Sequence, residues 1–418
     1  MLKNYFLIAC SVYMRRKLFT AINLLCIVLT LGVLLVLTAM LQTLFYPTGV
    51  EGKSDRFLVV ERITQILKDD WNSNGIGYKV IDQYLRKMKS VELVAALSGT
   101  TAVSVFQDDR VVEVIMRRTD DAYWKILDFT VLAGRVINAD DYSKGRFVAV
   151  LNASTAIKLF GVSGKTDNHA GAIGQKVNVM GQFFEVIGVV EDELHLSAYA
   201  GLWAPISTLP NSSYRNSFIG DFSALLLAKS NADFPRIKDE MVQISNQINA
   251  DAPERFGNTY LWADDKLDFI ARTLFDNQET ADSGAPKLIA AIAFLMLLFM
   301  ALPALNLINL NAGRIMERAS EIGVRKAFGA STSQLVAQFL MENILLCVVG
   351  GLVGIALAKG ALVWLGYAGI VPYLKVDLSW QVLCYGFVLS VVFGLLSGVI
   401  PAWRMARLNP VQALKGGA

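Results

Sequence analysis

The 418-residue sequence has four cysteines, and none of them lies between residues 47 and 285. A disulfide framework is therefore excluded there, and a region of that length must be held by its own apolar core. Histidine is scarcer still. His169 and His195 each stand without a cysteine or second histidine nearby, so zinc lacks its usual nitrogen and sulfur ligands. No phosphate loop is complete either. "GVSGKT" at 161–166 has the lysine and threonine, but Leu159 stands where the first glycine belongs, so the segment reads as a turn. With no nucleophile elbow and no metal cluster, the chain does not read as an enzyme.

What is abundant is apolar surface. The chain is 54% hydrophobic, with a mean hydropathy of +0.44, more apolar than a soluble domain of this length. Its net charge is only +3, but that charge is divided unevenly. Residues 47–285 hold 25 Lys/Arg against 32 Asp/Glu, a net −7, while the remainder holds 14 against 4, a net +10. Two different environments are implied.

A helix needs about 20 apolar residues to cross the hydrocarbon. Four segments qualify: 18–46, 286–311, 334–366 and 380–403. The first is far longer than a signal-peptide core and is closed by no A-x-A site, so it reads as an uncleaved anchor. Lys3, Arg15, Arg16 and Lys17 precede it. Arg314, Arg318, Arg325 and Lys326 lie between spans two and three, and Arg404, Arg407 and Lys415 follow span four. The basic segments 1–17, 312–333 and 404–418 therefore face the cytoplasm, with both termini inside. The acidic 47–285 block and the short 367–379 loop lie outside. The fold class expected is a membrane protein with four transmembrane α-helices and a large α+β domain inserted between the first two.

Inside the spans, Pro303 is placed to kink the second. Gly386, Ser390, Gly394 and Gly398 recur every four residues in the fourth, and Gly350 and Gly354 do so in the third. Such small-residue stripes let another helix approach closely, within one subunit or across a homodimer seam. Glu342 sits about a turn and a half into span three, where a carboxylate is costly. No second acidic residue lies in any span, which favours a structural role near the cytoplasmic interface over a proton or ion site.

The 47–285 block alternates strand and helix signals. "RFLVVER", "VELVAAL", "TAVSVF", "VVEVIMR" and "DFSALLLAK" read as strands. "YKVIDQYLRKMKS" puts Val80, Ile81, Tyr84, Leu85 and Met88 on one helical face. "DDAYWKIL" reads as a short helix capped by acidic residues, and "GRFVAVLNASTAIKLFG" as a strand followed by a helix. "KVNVMGQFFEVIGVVED" reads as a hairpin turning near Met180–Gly181. "FPRIKDEMVQISNQI" is another helix, and "LDFIARTLFDNQE" reads as a helical stalk running into span two. Two lobes are expected, one carrying the hairpin.

Between spans two and three lies "RASEIGVRKAFGAS", 318–331. Ser320 is a good N-cap, Glu321 suits the first turn, Arg325 and Lys326 suit the last, and Gly329 is placed to end the helix left-handed. Ser331 and Gln334 then form a capping box that starts span three. Ile322, Val324 and Phe328 are apolar side chains with no large fold beneath them. They lie either in the lipid headgroup region or in a groove on a cytoplasmic partner.

This segment resembles the signature of the MacB/FtsX-like ABC transporter permeases, which lies between their second and third spans. The resemblance extends over nearly the whole chain. "NYFLIACSVYMRRKLFTAINLL" is similar to the family's amphipathic helix and first span. "YWKILDFTVLAGRVINADDYSKGRFVAVLNASTAIKLFG" and "AGAIGQKVNVMGQFFEVIGVVED" resemble its periplasmic core domain, and "PAWRMARLNPVQALK" its C-terminal tail. The resemblance implies a periplasmic 47–285 domain and a multi-pass place in the bacterial inner membrane. It also implies that Glu321, Ile322, Gly323, Val324, Arg325, Lys326, Phe328 and Gly329 form a coupling helix docked on a cytoplasmic ABC ATPase dimer. ATP and Mg would be bound by that partner, with no cofactor on this chain. MacB carries a fused nucleotide-binding domain ahead of its first span, whereas about 17 residues precede the apolar run here, so the ATPase is expected as a separate subunit. "ALPALNLINLNAG" also stands where relatives have a glycine-rich second span.

The function implied is that of a permease subunit in an exporter that works by mechanotransmission. Its load is an antibiotic, peptide, siderophore or lipoprotein. The alternative is an FtsX-like signalling subunit that activates a periplasmic hydrolase or senses a ligand. Partners implied are a second permease subunit (identical or related), membrane lipid, and a periplasmic adaptor with an outer-membrane channel. Nucleic acid is not among them.

Overall fold

The computed structural model describes residues 13–14, 17–66, 71–107, 110–161, 169–195, 197–253, 258–278, 280–317, 324, 328–368, 379–388, 391–392, 395 and 399. The chain forms two compact units, Thr43–Leu288 and Met1–Gln42 with Ile289–Ala418. The strands are β1 Phe57–Val60, β2 Arg62–Ile66, β3 Trp71–Gly75, β4 Leu93–Ser98, β5 Thr101–Gln107, β6 Arg110–Thr119, β7 Val131–Gly134, β8 Val148–Asn152, β9 Lys176–Val179, β10 Gln182–Val190, β11 Leu202–Pro205, β12 Phe222–Leu227 and β13 Thr259–Leu261. The α-helices are α1 Lys17–Phe45, α2 Tyr78–Gln83, α3 Tyr123–Ile126, α4 Ala139–Ser143, α5 Ala153–Phe160, α6 Phe234–Asp251, α7 Lys266–Phe275, α8 Ala285–Glu317 and α9 Thr332–Ala368.

In the Thr43–Leu288 unit one continuous sheet runs β1-β12-β4-β6-β11-β8-β10-β9-β5, with β7 joined to β10. Because β5 also pairs antiparallel with β6, the six strands from β6 to β5 close into a ring. Closure removes free strand edges, which otherwise invite pairing with other chains. Val105, Val114, Leu151, Val177, Phe184 and Val189 are among its buried side chains. A separate three-stranded sheet, β13-β2-β3, completes the unit.

Local chemistry explains the turns. The β9–β10 hairpin closes on Met180 and Gly181, both with positive φ (51° and 83°), as a two-residue turn matched to strand twist requires. Asn178 Oδ1 accepts the Gly181 N–H at 2.9 Å. Helix α5 begins where the Asn152 side chain accepts the Thr155 N–H and ends at Gly161, left-handed at φ 62°. Gly161, the first residue of the phosphate-loop lookalike, is thus a helix cap, and 162–168 lie outside the described residues.

Helix α6 starts with Pro235 in its first turn and buries Ile237, Met241, Ile244 and Ile248, a 3.6-residue stripe, against β1, β4 and β12. The α2 segment departs from the expectation of one helix through Met88. The α-helix ends at Gln83, capped by the Tyr84 N–H on the Val80 carbonyl, and a 3-10 turn, Leu85–Lys87, follows. Leu85 and Met88 still reach the core. A third cluster stacks Trp124 edge-on to Trp203 at 5.8 Å, with Phe129 against both rings.

In the other unit, among the described residues, two helices are long and apolar enough to cross a membrane: Thr20–Phe45, with mean hydropathy 2.9, and Ser333–Ala368, with 2.2. Thr30 and Thr38 turn their hydroxyls back onto the carbonyls of Cys26 and Leu34, which satisfies them inside an apolar helix. Ile27 and Leu31 of α1 pack on Leu346 and Cys347 of α9.

Candidate functional site

The segment between α8 and α9 is described at Val324 and from Phe328 onward. Glu321, Ile322, Gly323, Arg325 and Lys326 lie outside the described residues. The Phe328 N–H donates to the Val324 carbonyl at 3.0 Å, a helical i to i−4 bond. Gly329 follows at φ 93°, with open space where a Cβ would stand, so glycine answers a backbone requirement there. Next, Ser331 Oγ accepts the Gln334 N–H at 3.3 Å, and Gln334 Oε1 accepts the Ser331 N–H at 3.2 Å. This reciprocal box starts α9. A helical turn thus ends and a new helix begins within about four residues. The Phe328 ring is left 89% exposed, and Val324, one turn earlier, is exposed as well.

The small-residue stripes meet within the chain. A Cβ on Gly350 would lie 2.5 Å from Ile27 Cγ2 of α1. One on Gly354 would touch the Val28 carbonyl at 3.3 Å and the Gly32 nitrogen at 3.4 Å. Gly386 faces Leu35 Cδ2 at 2.5 Å in the same sense, and Gln42 accepts from Ser379 Oγ at 2.8 Å. Ser390, Gly394 and Gly398 lie outside the described residues. Glu342 is 2% exposed. Gln338 Nε2 donates to its carboxylate at 3.3 Å, and the Tyr13 hydroxyl donates to its main-chain carbonyl.

The stalk expectation needs correction. Helix α7 does not run into the second span. It stops at Asp276, left-handed at φ 51°, and α8 starts only at Ala285, after Gly284 at φ 82°. The cause is Arg272. Its guanidinium donates to the carbonyls of Asn277 (2.6 Å) and Thr280 (2.8 Å) and to both Asp264 oxygens (2.7 and 3.2 Å), and it lies 5.1 Å from the Trp262 ring. The Trp262 indole donates to the Gln278 carbonyl at 2.9 Å. An arginine in the last turn of a helix is favourable in any case. Only the aspartate eight residues earlier hinted that this one folds a loop around itself.

A second joint also escaped the sequence reading. Glu51, in the 3-10 turn Gly49–Glu51 that follows α1, lies 2.6 Å from Lys266 Nζ at the start of α7. The two residues are more than 200 positions apart, and nothing local marks either of them.

Residues 20–244 match the family model of the MacB-like periplasmic core domain, and residues 293–410 match that of the FtsX-like permease C-terminal. The first match alone spans more than half of the chain. The chain belongs to the MacB/FtsX-like family of ABC transporter permeases. Among its relatives is the uncharacterized ABC transporter permease YknZ of Bacillus subtilis, 26% identical over 79% of this chain and 77% of that protein. The macrolide export ATP-binding/permease protein MacB of Salmonella typhi is 27% identical over 70% of this chain. The match spans 42% of that MacB and 52% of a probable export MacB from Pseudomonas entomophila, which is 24% identical. Among solved structures, the periplasmic region of MacB from Actinobacillus actinomycetemcomitans aligns over 54% of this chain and 95% of that one, at 16% identity and a TM-score of 0.40.

Proposed function

We propose that this chain is the permease subunit of an ABC exporter that works by mechanotransmission. In this reading four spans hold it in the bacterial inner membrane with both termini inside. A cytoplasmic ABC ATPase dimer, carrying ATP and Mg, docks on the 321–329 segment. Its closure moves that segment, and the periplasmic unit carries the motion to a substrate such as an antibiotic, peptide, siderophore or lipoprotein. A second permease subunit supplies the other docking segment. The observation that carries the reading is Phe328, an almost fully exposed ring on a helical turn with its own stop, set between two apolar helices. An aromatic side chain left in water is the kind of anchor a partner's pocket takes up. Trp364 and Tyr367 near the end of α9 and Trp380 and Tyr385 in the following helix are all exposed. They fit an aromatic belt at one membrane surface.

The test is recovery of the ATPase with tagged protein purified from native membranes. Phe328→Asp is expected to insert and fold normally but to lose at least nine-tenths of the co-purifying ATPase, because a carboxylate replaces an apolar anchor at a cost of about 2 kcal/mol or more. ATPase recovered at the normal yield with this variant sinks the docking assignment. If wild-type protein brings down no ATPase even after crosslinking, the segment is a membrane-surface element instead.

A further inference from the structure

The chain enters the Thr43–Leu288 unit after α1 and leaves it through β13, α7 and the loop before α8, and those two passages are fastened to each other by main chain and by charge. The first fastening is a backbone bridge. Val59 N donates to the Asp264 carbonyl at 2.8 Å, and Asp264 N donates to the Val59 carbonyl at 2.9 Å. This bridge is followed by the β2–β13 pairing, with Ile63 opposite Leu261, so the main-chain fastening starts at Val59, eight residues beyond Glu51. The second fastening is the ion pair of Glu51 with Lys266, eight residues before Val59 and two after Asp264. The Lys266 and Glu51 side chains keep only 13% and 3% of their exposure.

Lys266 Nζ meets Glu51 Oε2 at 2.6 Å as a charge contact, without hydrogen-bond geometry. The other oxygen, Oε1, accepts the Ser197 N–H at 3.1 Å, so the carboxylate is fixed from both sides. Two residues on, Lys53 pairs with Asp128 at 2.7 Å, but that pair stands a third to a half exposed and contributes little. A buried ion pair adds little net stability over apolar side chains of the same size, and its better-attested use is to hold register.

We propose that Glu51 and Lys266 form a clamp that makes the incoming and outgoing segments of the periplasmic unit a single moving body. A displacement delivered along α1 or α8 is then shared by both segments instead of being absorbed in the stretch between Glu51 and the Val59–Asp264 bridge. The purpose assigned to the clamp rests on the mechanotransmission reading; the clamp itself is measurable without any ATPase.

The experiment is hydrogen–deuterium exchange on the full chain in lipid nanodiscs, following peptides that cover 46–56 and 262–276. Glu51→Gln keeps the acceptor for Ser197 and removes only the charge, and Lys266→Met keeps the apolar stem. Each single variant is expected to speed exchange in the opposite peptide by about tenfold, because an opening that now costs less at one end frees the other. The double variant Glu51→Gln/Lys266→Met is expected to exchange no faster than either single one, because both substitutions remove the same contact. Changes confined to the mutated segment's own peptide overturn the clamp. So does a double variant whose acceleration is the product of the two single effects, which is what two independent folding defects would give. No arm uses ATPase recovery, so failure here and failure of the Phe328 test are separate results.

Discussion

Burial is achieved by opposite means in the two units. In Thr43–Leu288 the largest fully buried side chains are Trp203, Tyr123, Phe57 and Phe184, and buried charges such as Arg272 and Asp264 form an ion pair. In the α1–α9 packing Gly32, Gly350 and Gly354 let the helices approach and Ile27 and Leu31 fill the contact beside them, while Leu25, Leu29, Val33, Leu352 and Val353 face outward. Water drives large apolar side chains inward at roughly 25 cal/mol per Å². Lipid gives no such drive, and helices in it gain by close backbone approach instead. The two units were shaped by different solvents, and each is broken by a different kind of substitution.

The largest effect is expected from emptying the Arg272 site. Both partners are nearly buried, at 6% and 8% side-chain exposure. Arg272→Ala leaves the Asp264 carboxylate without its cation and frees the carbonyls of Asn277 and Thr280. Removing one member of a buried pair costs about 3–5 kcal/mol. Denaturant unfolding followed by tryptophan fluorescence should show that loss in the periplasmic unit. Cys347 between α1 and α9 should stay as protected from a maleimide as in wild type. A melt unchanged within 1 kcal/mol would mean that the loop is held by something other than Arg272.

Gly350→Leu tests the other half of the comparison. The added side chain runs into Ile27, already 2.5 Å from where its Cβ would stand. Overpacking of this kind costs about 1–3 kcal/mol. Here the fluorescence melt of the periplasmic unit should hold, while Cys347, buried in the α1–α9 contact, becomes open to maleimide. If Cys347 stays protected and the melt moves instead, the two units are not separately stabilised.

What was legible beforehand follows from range. The cap at Gly329, the Ser331–Gln334 box and the turn at Met180–Gly181 are decided by residues within four positions of one another, and each stands where the sequence put it. The apolar spacing of α2 continues through Met88, whereas its α-helix ends at Gln83 and a 3-10 turn carries Leu85 and Met88 into the core. Ring closure pairs β5 with β9, about 70 residues further along the chain, and leaves no local mark. The Glu51–Lys266 contact leaves none either. The stalk misreading has the same origin. Helical periodicity in "LDFIARTLF" is real, but its stop depends on what Arg272 reaches.

The smallest expected effect is a pH dependence at the same joint. Burial pushes the Asp268 carboxyl up, but Lys238 Nζ at 2.7 Å and the Ser283 hydroxyl at 2.5 Å outweigh it and hold the pKa below the usual carboxylate value. A folded-state pKa below the unfolded one means that the ionised group stabilises the fold. That contribution is complete above the unfolded pKa of about 3.9 and is lost as pH falls through the folded value. Stability from this group is therefore flat from pH 5 to 8 and declines only below about pH 4. Because Lys238 is 45% exposed, the contribution is modest, about 0.5–1 kcal/mol. Asp268→Asn should lower the neutral-pH melt by that amount, and its curve should converge with that of wild type at acid pH. If the two curves instead stay parallel down to pH 3, the charge on Asp268 contributes nothing, and what this residue adds to the joint is its hydrogen bond with Ser283.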